Sequence, residues 1–560
     1  MKKKEVISMK KSKLIALILA ATMATAASGC GFTGSTGSAV TSGAPQTASQ
    51  AAAATKPVSD TITVYDTNEI RTLVQWDASD TNSFTILNNV SEGLYRLNAK
   101  NDPEPALAAS YKVSDDKLTY TFTLRDNLKW SNGTALTAKD FAYSWLKQMS
   151  TDATNGYSFI MTDYIVNGAE YLAGKAKAAD VGIKAVDDKT LEVKLKQPTP
   201  YFVRLTVLPM FFPLNEEYVK SQGAQFGLKA ENMIYCGPYT LTTYDPASGS
   251  TLKKNDSYWD AANVKVPNVN VRIIKDASTA LNAYKSGELS RVMLSSSDVP
   301  AMKSSAEFST TSEFRTTYLQ YNLKDKALSN KNIRLALGYA VDRKTLTDVV
   351  LADGSAPATG LIANSMYGDG QKSFRELNGD ISTFDAAKAK EYWDKGVKEL
   401  GSAPSLTLLT ADDSVTKTIA TYVQDQFKKV LGADVKIDSK TTKARNQLMD
   451  DNNYQMAVTA WGADYDDAMT YMDLWTNGTP YRGNYKNDTY NALIADAKKQ
   501  TDDAKRLQDM LTAEKTLVAD DAVVAPLYYR GAAYLTKPNV KNLITHPFGT
   551  PIEFKYASIE

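Results

Sequence analysis

Strand and helix patterns alternate along most of this 560-residue chain, and the alternation constrains its fold more than any other feature. Large apolar residues alternate with threonines over 118–124, which is the period of a half-buried strand. Apolar residues recur at helical spacing over 141–149, after Thr137 and Asp140, which are spaced as in a capping box. We therefore predict an α/β or mixed α+β protein.

The same alternation continues toward the C-terminus with no internal repeat and no break in composition. The further patterns are a hairpin of strands at 181–185 and 191–195, a helix at 419–431 with a strand at 435–437, and a helix at 507–517 with a strand at 522–529. The length predicts two or three domains. Because composition does not separate them, their boundaries need another argument.

The N-terminus has the pattern of an export signal. Six lysines lie within the first 13 residues, and an apolar run follows from Leu14 to Ala27. That run is too short to span a bilayer about 30 Å thick. It ends Ala27-Ser28-Gly29-Cys30, which resembles the lipobox of bacterial lipoproteins and implies diacylation of Cys30. We predict a lipoprotein signal peptide at 1–29; the alternative is an ordinary secreted protein in which this cysteine is incidental.

Residues 30–56 are predicted to be a lipidated cysteine followed by a flexible linker. Positions 31–55 contain no charged residue and almost no large apolar side chain. Such a segment cannot bury enough surface to fold. A protein built this way is tethered to the membrane but free to turn.

Composition excludes several classes of function. Lys+Arg is 64 and Asp+Glu is 63, so no overall basic charge favours nucleic acid. One histidine and two cysteines argue against His/Cys metal sites, iron–sulfur clusters and disulfide scaffolds, and no phosphate-binding loop is present, so no cofactor is predicted. We expect His546 to lie in a surface loop and Cys236 to be a small buried hydrophobe.

Paired carboxylates occur chiefly in the run Asp464-Tyr465-Asp466-Asp467. A glycosidase needs two acids on opposite sides of a cleft, which spacing alone cannot establish. Acidic runs are more often solvated loops or helix N-termini. An extracellular glycosidase or peptidase therefore stays open as an alternative at this point.

Four groups of segments, in order along nearly the whole chain after the linker, resemble the solute-binding proteins of bacterial oligopeptide ABC transporters (extracellular solute-binding protein family 5). The segments are Glu92–Tyr95 with 105–108, 120–125, 129–133 and 137–140; Cys236–Tyr239 with 254–259; Tyr321–Leu323 with 332–336 and 340–343; and Trp461–Tyr465 with 525–529. Each group is modest alone, and the resemblance rests on all four in this order and spacing. In Gram-positive bacteria such proteins are typically lipoproteins, which agrees with the predicted tether.

The resemblance implies an α/β, two-lobed, periplasmic-binding-protein-like fold (class II, cluster C type) with an extra subdomain and a two-segment hinge. Mapped by spacing, lobe I is 57–82, 209–312 and 533–560; its extra subdomain is 83–208; and lobe II is 313–532. Lobes that interleave in this way account for the missing break in composition. The implied function is capture of oligopeptides between the lobes and delivery to an ABC permease and its ATPase subunits.

The resemblance also implies a peptide site. Peptides of varied sequence share only their main chain and charged ends, so a general site pairs the peptide as a strand. By spacing, the two pairing segments are Ser79–Thr81, which includes Asp80, and Ala460-Trp461-Gly462. The aspartate that meets the peptide α-ammonium falls on Asp464, and a tyrosine that lines the same pocket falls on Tyr157.

At the other end of the peptide this sequence departs from the family. The basic and histidine side chains that meet the peptide carboxylate there align with residues such as Met449 and Val458. A cleft open at that end and a rearranged anchor that uses Arg445 or Lys443 are both compatible with the sequence.

The resemblance leaves two alternative ligands, sugar oligomers and peptide pheromones, on the same fold. Asp464 favours a free amine over a sugar, and the shortage of histidine argues against nickel complexes. We expect a monomer that binds no nucleic acid and is not an enzyme. We expect it to be lipid-anchored at the extracytoplasmic face of the membrane, in a Gram-positive bacterium.

Overall fold

A computed structural model describes residues 60–153, 157–476 and 478–560. The expected signal peptide, Cys30 and the linker lie outside these residues, so what the sequence indicates about them stays a prediction. Within the described ranges, no helix has the length and apolar character needed to cross a membrane.

The described residues contain strands and helices throughout. The strands are β1 Thr61–Asp66, β2 Tyr95–Leu97, β3 Pro103–Pro105, β4 Ala108–Val113, β5 Thr119–Leu124, β6 Ile183–Ala185, β7 Thr190–Lys194, β8 Tyr239–Asp245, β9 Gly249–Lys254, β10 Asn268–Ile273, β11 Arg291–Met293, β12 Phe308–Tyr321, β13 Ala356–Pro357, β14 Leu406–Ala411, β15 Val435–Lys440, β16 Met456–Gly462, β17 Val524–Thr536, β18 Val540–Lys541, β19 Ile544–Thr545, β20 Ile552–Glu553 and β21 Ser558–Ile559. The α-helices are α1 Thr81–Val90, α2 Ala138–Gln148, α3 Phe159–Thr162, α4 Gly168–Leu172, α5 Phe202–Leu205, α6 Glu216–Gln222, α7 Ala277–Lys285, α8 Val299–Met302, α9 Lys331–Tyr339, α10 Arg343–Thr345, α11 Phe374–Asn378, α12 Ala386–Leu400, α13 Ser414–Leu431, α14 Thr442–Asp450, α15 Met469–Met472, α16 Asp488–Lys499 and α17 Asp503–Lys515.

Three sheets organise the chain. Strands β1, β10, β9 and β8 form one four-stranded sheet in that order, and β4, β5, β7 and β6 form a second. The largest sheet has seven strands in the order β11-β17-β12-β16-β14-β15, with β13 paired to β17. All strands of the two smaller sheets come before β11, the first strand of the large sheet, in the sequence.

The patterned segments form the predicted elements. The predicted strands correspond to β5, β6, β7, β15 and β17, and the predicted helices to α2, α13 and α17. The predicted capping box is present, since the Asp140 carboxylate accepts the Thr137 N–H at 2.7 Å. Most boundaries shift by a few residues. At β17 the cause is clear: the strand begins at Val524 because Ala522 adopts a left-handed φ of 49°, which interrupts extended backbone.

Strands β12 and β17 are the longest antiparallel pair in the large sheet. Their register shifts between Ser312 and Thr316, where the regular ladder is interrupted. Opposite Ser312, Gly531 passes so close to a neighbouring loop that an added Cβ would lie 2.2 Å from the carbonyl oxygen of Gly354. Only glycine permits that approach, so the contact between β17 and this loop requires glycine at position 531.

Two of the segments that carry the family resemblance, 92–95 and 254–259, meet in a buried ionic cluster. The Glu92 carboxylate accepts the Trp259 Nε1–H at 2.6 Å and pairs with Arg96 at 2.6 Å, and Arg96 also pairs with Glu553. Each charge has a partner of opposite sign, which burial requires. The cluster ties β20, near the C-terminus, to β2.

The prediction that His546 lies in a surface loop is wrong. His546 is 4% exposed; its Nδ1 lies 2.9 Å from Asn101 Oδ1 and its Nε2 3.1 Å from Glu553 Oε2. Burial, with Arg96 nearby, lowers the pKa of this imidazole to about 4. The prediction for Cys236 is confirmed: this thiol is buried, and burial raises its pKa to about 12.

A buried carboxylate on α17 holds the loop that follows β13. Glu514 accepts the backbone N–H groups of Leu361 and Ile362 at 2.8 and 2.9 Å, and it pairs with Arg375 of α11. Farther along that loop, the Tyr367 N–H donates to Asp466 at 2.8 Å. Glu514 therefore helps to position residues beside the acidic run.

We expect Glu514→Ala to lower the free energy of unfolding by about 3–5 kcal/mol, because it leaves a buried guanidinium without its partner. Urea unfolding measures the change. Lys390→Ala is the control: it breaks an exposed pair with Asp394 and is expected to cost less than about 1 kcal/mol. Equal losses in the two variants would contradict this assignment.

Candidate functional site

Strand β16 has one fully paired edge and one largely open edge. Its residues from Met456 to Gly462 pair antiparallel with β12. On the other side β14 pairs with it only at Met456 and Ala457. Beyond Ala457, β14 continues along β15 and leaves β16.

The register decides which backbone groups face the open edge. The Ala463 N–H donates to Phe314 C=O at 2.7 Å, so every second residue from Ala463 back along the strand is hydrogen-bonded to β12. Trp461 is therefore bonded to β12. Ala460 and Gly462, between these positions, direct their N–H and C=O groups away from it. Two predicted site residues thus offer main-chain donors and acceptors on an open edge.

Asp464 lies at the end of this edge, directly after the strand. Its backbone N–H donates to Thr470 Oγ1 at 3.2 Å, which fixes the main chain there. The carboxylate is half-buried, and burial raises its pKa to about 6. Among the described residues, no lysine, arginine or histidine forms an ion pair with it. A carboxylate removed from water in this way is suited to receive a cation from outside the chain.

The neighbouring acids of the run have structural partners. Asp466 pairs with Arg204 at 3.0 Å, and Asp467 forms a bidentate pair with Arg506 at 2.8 Å. Despite Arg204, burial raises the pKa of Asp466 to about 7. These two residues therefore have structural roles, although they are buried rather than solvated as acidic runs usually are, and Asp464 differs from both.

Tyr157 lies on the same side of the site. Burial raises the pKa of the Tyr157 phenol, and the negative charge of the nearby Asp464 carboxylate raises it further. The ring packs edge-on against Phe84 of α1, with centroids 6.3 Å apart. The structure thus brings together Asp464, Tyr157 and the first turn of α1.

The other predicted pairing segment leads into α1. Asp80 has extended backbone (φ −133°, ψ 152°), and its carboxylate caps the helix by accepting the Ser83 N–H at 2.9 Å. Thr81 is already the first residue of α1. Asp80 is therefore an extended residue directly before the helix, and Ser79–Thr81 makes no strand pairing in the described part of the chain.

Trp461 is held by a cation on one face of the large sheet. The Arg482 guanidinium lies 5.0 Å from the Trp461 ring centroid and donates to the Tyr318 hydroxyl at 3.0 Å. Tyr471 donates to Trp461 C=O at 3.3 Å. These contacts orient the strand.

Several of these neighbours were missed by reasoning from sequence. Arg482, Arg204 and Thr470 belong to no motif, and they approach β16 or the acidic run from other elements. Tyr471 carries no helical or strand signal of its own. No pattern in the sequence could have found them, because only the tertiary contacts distinguish them from other polar residues.

The buried charge of Asp464 is expected to destabilise the protein without ligand. Its folded-state pKa of about 6 exceeds the value of about 4 in an unfolded chain, so stability falls as pH rises between these values and the full cost is present above pH 6. We expect Asp464→Asn to raise the free energy of unfolding by about 1–3 kcal/mol at pH 7.5 and by almost nothing at pH 4.

Urea titrations at the two pH values measure this effect. Asp412→Asn, at an exposed position, is the matched control and is expected to leave stability unchanged at both. If the Asp464→Asn protein is no more stable than the parent at pH 7.5, the assignment of a buried, unpaired charge is wrong.

Solved structures of high similarity share this architecture. Listeria monocytogenes OppA bound to peptide matches with a TM-score of 0.70 and 35% sequence identity, over 89% of this chain and 99% of that one. The pheromone receptor PrgZ matches with a TM-score of 0.72 and 32% identity, over 90% and 100%. The two-lobed α/β fold implied by the resemblance is thereby confirmed.

Sequence comparison agrees. The dipeptide-binding protein DppE of Bacillus subtilis (strain 168) is 32% identical over 482 residues, which are 85% of this chain and 87% of that protein. The sequence model described as bacterial extracellular solute-binding proteins, family 5 Middle, matches residues 102–483. The chain belongs to the bacterial extracellular solute-binding proteins of family 5.

Proposed function

We propose that this protein captures oligopeptides between its two lobes and delivers them to an ABC permease, with its ATPase subunits, for import. One observation supports this proposal above the others: the half-buried Asp464 carboxylate has no cationic partner in the described chain and stands at the end of an open strand edge. A peptide supplies both missing partners, an α-ammonium and a strand.

Main-chain pairing makes such a site tolerant of peptide sequence. The N–H and C=O groups of Ala460 and Gly462 can bond a peptide backbone whatever its side chains are. Ser79, Asp80 and Thr81 are proposed to pair with the opposite edge of the peptide, and Tyr157 to line the pocket for its first residue. Trp461 borders the groove from within β16. The ammonium then meets Asp464, a fixed counter-charge.

We propose the lobe boundaries as 57–82, 209–312 and 533–560 for lobe I, with 83–208 as its subdomain, and 313–532 for lobe II. The sheets support this division. The first sheet draws its strands from the first two lobe I segments, and the second from the subdomain. Strands β12 and β17 cross the 312/313 and 532/533 boundaries side by side, where their register is interrupted. A two-segment hinge at this position permits closure on a ligand.

No chemistry on the ligand is proposed. Two of the three carboxylates in the acidic run are occupied by arginines, which leaves Asp464 without an acidic partner for hydrolysis of the glycosidase type. Relatives named for dipeptide and oligopeptide binding support transport. The likeness to PrgZ favours a peptide pheromone as the second candidate ligand, and it would be bound by the same groups.

Binding should depend on a free peptide amine. We expect tetra-alanine to bind, and both N-acetylation of the peptide and Asp464→Asn to weaken binding by about 100-fold, which is ~3 kcal/mol for one lost partner of a buried pair. Isothermal titration calorimetry measures each affinity. Asp412→Asn serves as the control with unchanged affinity.

Equal affinity for tetra-alanine and its N-acetylated form would refute the ammonium anchor. A cello-oligosaccharide that binds where peptides do not would favour the sugar-binding alternative. Native mass spectrometry of protein purified from cells would identify a retained nutrient peptide or pheromone directly by its mass.

We also propose that the protein is a monomeric lipoprotein, anchored through Cys30 at the extracytoplasmic face of a Gram-positive membrane. The support is the sequence Ala27-Ser28-Gly29-Cys30 after an apolar run, followed by an uncharged linker. Two acyl chains, at about 0.8 kcal/mol for each buried CH₂, give stable anchoring.

Cys30→Ala should move the protein from the membrane fraction to the supernatant of cells fractionated without detergent. Cys236→Ala, which changes the buried thiol, should leave it in the membrane fraction. Membrane retention of the Cys30→Ala protein would count against lipidation.

A further inference from the structure

Arg204 joins two parts of the molecule that the proposed lobe boundaries separate. It lies on α5 in the subdomain, 83–208, and its Nη1 is 3.0 Å from Oδ2 of Asp466, which belongs to lobe II. The two side chains are 12% and 5% exposed, so the pair is largely removed from water. A second carboxylate, the half-exposed Asp102 of the subdomain, lies 3.3 Å from Nη2 of the same guanidinium. Arg204 therefore forms one ion pair within its own lobe and one across the boundary.

Aromatic rings cross the same boundary beside this ion pair. The rings of Tyr201 and Tyr465 are stacked, with centroids 5.1 Å apart and an angle of 2° between their planes. The Tyr164 hydroxyl donates to the Tyr465 hydroxyl at 3.3 Å. The Arg204 guanidinium also lies 3.8 Å from the ring centroid of Tyr367, in lobe II. The subdomain and lobe II therefore meet through ring contacts and a hydrogen bond as well as through charge.

The lobe II side of this interface follows directly after the proposed ammonium anchor. Asp464 is the anchor, whereas Tyr465 and Asp466, the next two residues, contact the subdomain. The main chain at Asp464 is fixed within lobe II, through its bond to Thr470. Loss of the contact with the subdomain would therefore change the position of the lobes more than it changes the anchor itself.

Removal of Arg204 would leave a buried charge behind. The Asp466 carboxylate would keep the Tyr367 N–H as a donor, and the negative charges of Asp467 and Asp102 would act against its ionisation. It can then either take up a proton or gain water as the subdomain and lobe II move apart. A peptide must first bring separated lobes together, which lowers its apparent affinity.

We propose that Arg204 is a positioning residue, which holds the subdomain against lobe II through Asp466 and thereby favours the arrangement of the lobes that binds peptides. This inference rests on the proposed function and deepens it. The acidic run then has two roles: Asp464 receives the ligand, and Asp466 ties the lobe that carries it to the subdomain. Because the pair acts on the lobes, it affects every peptide by the same factor.

The test measures the affinities of tri-alanine and tetra-alanine by isothermal titration calorimetry, and compares each variant with the parent at the same pH. At pH 8, where Asp466 is ionised, we expect Arg204→Gln to weaken both peptides by one common factor of at least about tenfold. At pH 6 most of Asp466 is protonated, because burial raises its pKa to about 7, and the loss should be less than about threefold. The effect of the substitution therefore increases with pH.

Two further variants separate the crossing pair from a general loss of charge. Arg204→Gln combined with Asp466→Asn removes both ions and keeps an acceptor for the Tyr367 N–H, so affinity at pH 8 should return to within about threefold of the parent. Asp102→Asn removes the carboxylate that pairs with Arg204 inside the subdomain and should leave both affinities unchanged. In small-angle scattering at pH 8, the peptide-free Arg204→Gln protein should have a larger radius of gyration than the parent.

Tyr164→Phe tests the same interface through the loss of a single hydroxyl. It removes the hydrogen bond to Tyr465 and should weaken both peptides by about threefold at pH 8. Tyr171→Phe, which removes a hydroxyl from α4 of the same subdomain, is the control and should leave both affinities unchanged.

Parent-like affinities of Arg204→Gln at pH 8 would overturn this role for Arg204. An equal loss at the two pH values, or a loss that Asp466→Asn does not reverse, would overturn it as well. If Arg204→Gln folds poorly, parent-like affinities of Tyr164→Phe count against the interface in its place. Failure of the proposed function is distinct, because neither peptide would then bind the parent.

Discussion

The pairing of β16 is the constraint on which the site depends. A strand bonded to β12 along its whole length but to β14 at only two residues has backbone groups with no strand partner on one edge. An edge of this kind can pair with another strand. Here it is short, and the half-buried Asp464 carboxylate stands at one end of it. The proposed ligand, an extended peptide with a free α-ammonium, would satisfy both the edge and the carboxylate.

The distribution of arginines explains why one carboxylate of the acidic run differs from its neighbours. Arg204 and Arg506 neutralise Asp466 and Asp467 and thereby hold the loop in place. Asp464 is half-buried beside them without such help, at a cost to the stability of the free protein. Binding of the proposed peptide ammonium would recover that cost.

The segments that identify the family mostly build the scaffold. Glu92 joins Trp259 and Arg96 in a buried cluster, and an added Cβ on Gly93 would lie 2.7 Å from the Thr206 carbonyl oxygen. Only the segment around Trp461 and Asp464 is part of the proposed groove. Resemblance therefore indicates the fold more directly than it indicates ligand specificity.

Sequence alone determined the elements with strong local periodicity, such as β5, α2 and α13, because their pattern reflects one buried face. It also determined that Asp464 and Ala460–Gly462 are candidates, through the resemblance. It could not determine that Arg204 neutralises Asp466 or that His546 is buried, since each depends on contacts between separate elements. Which edge of β16 is open was decided by tertiary structure alone, because the register between strands far apart in the chain sets the direction of every backbone N–H and C=O.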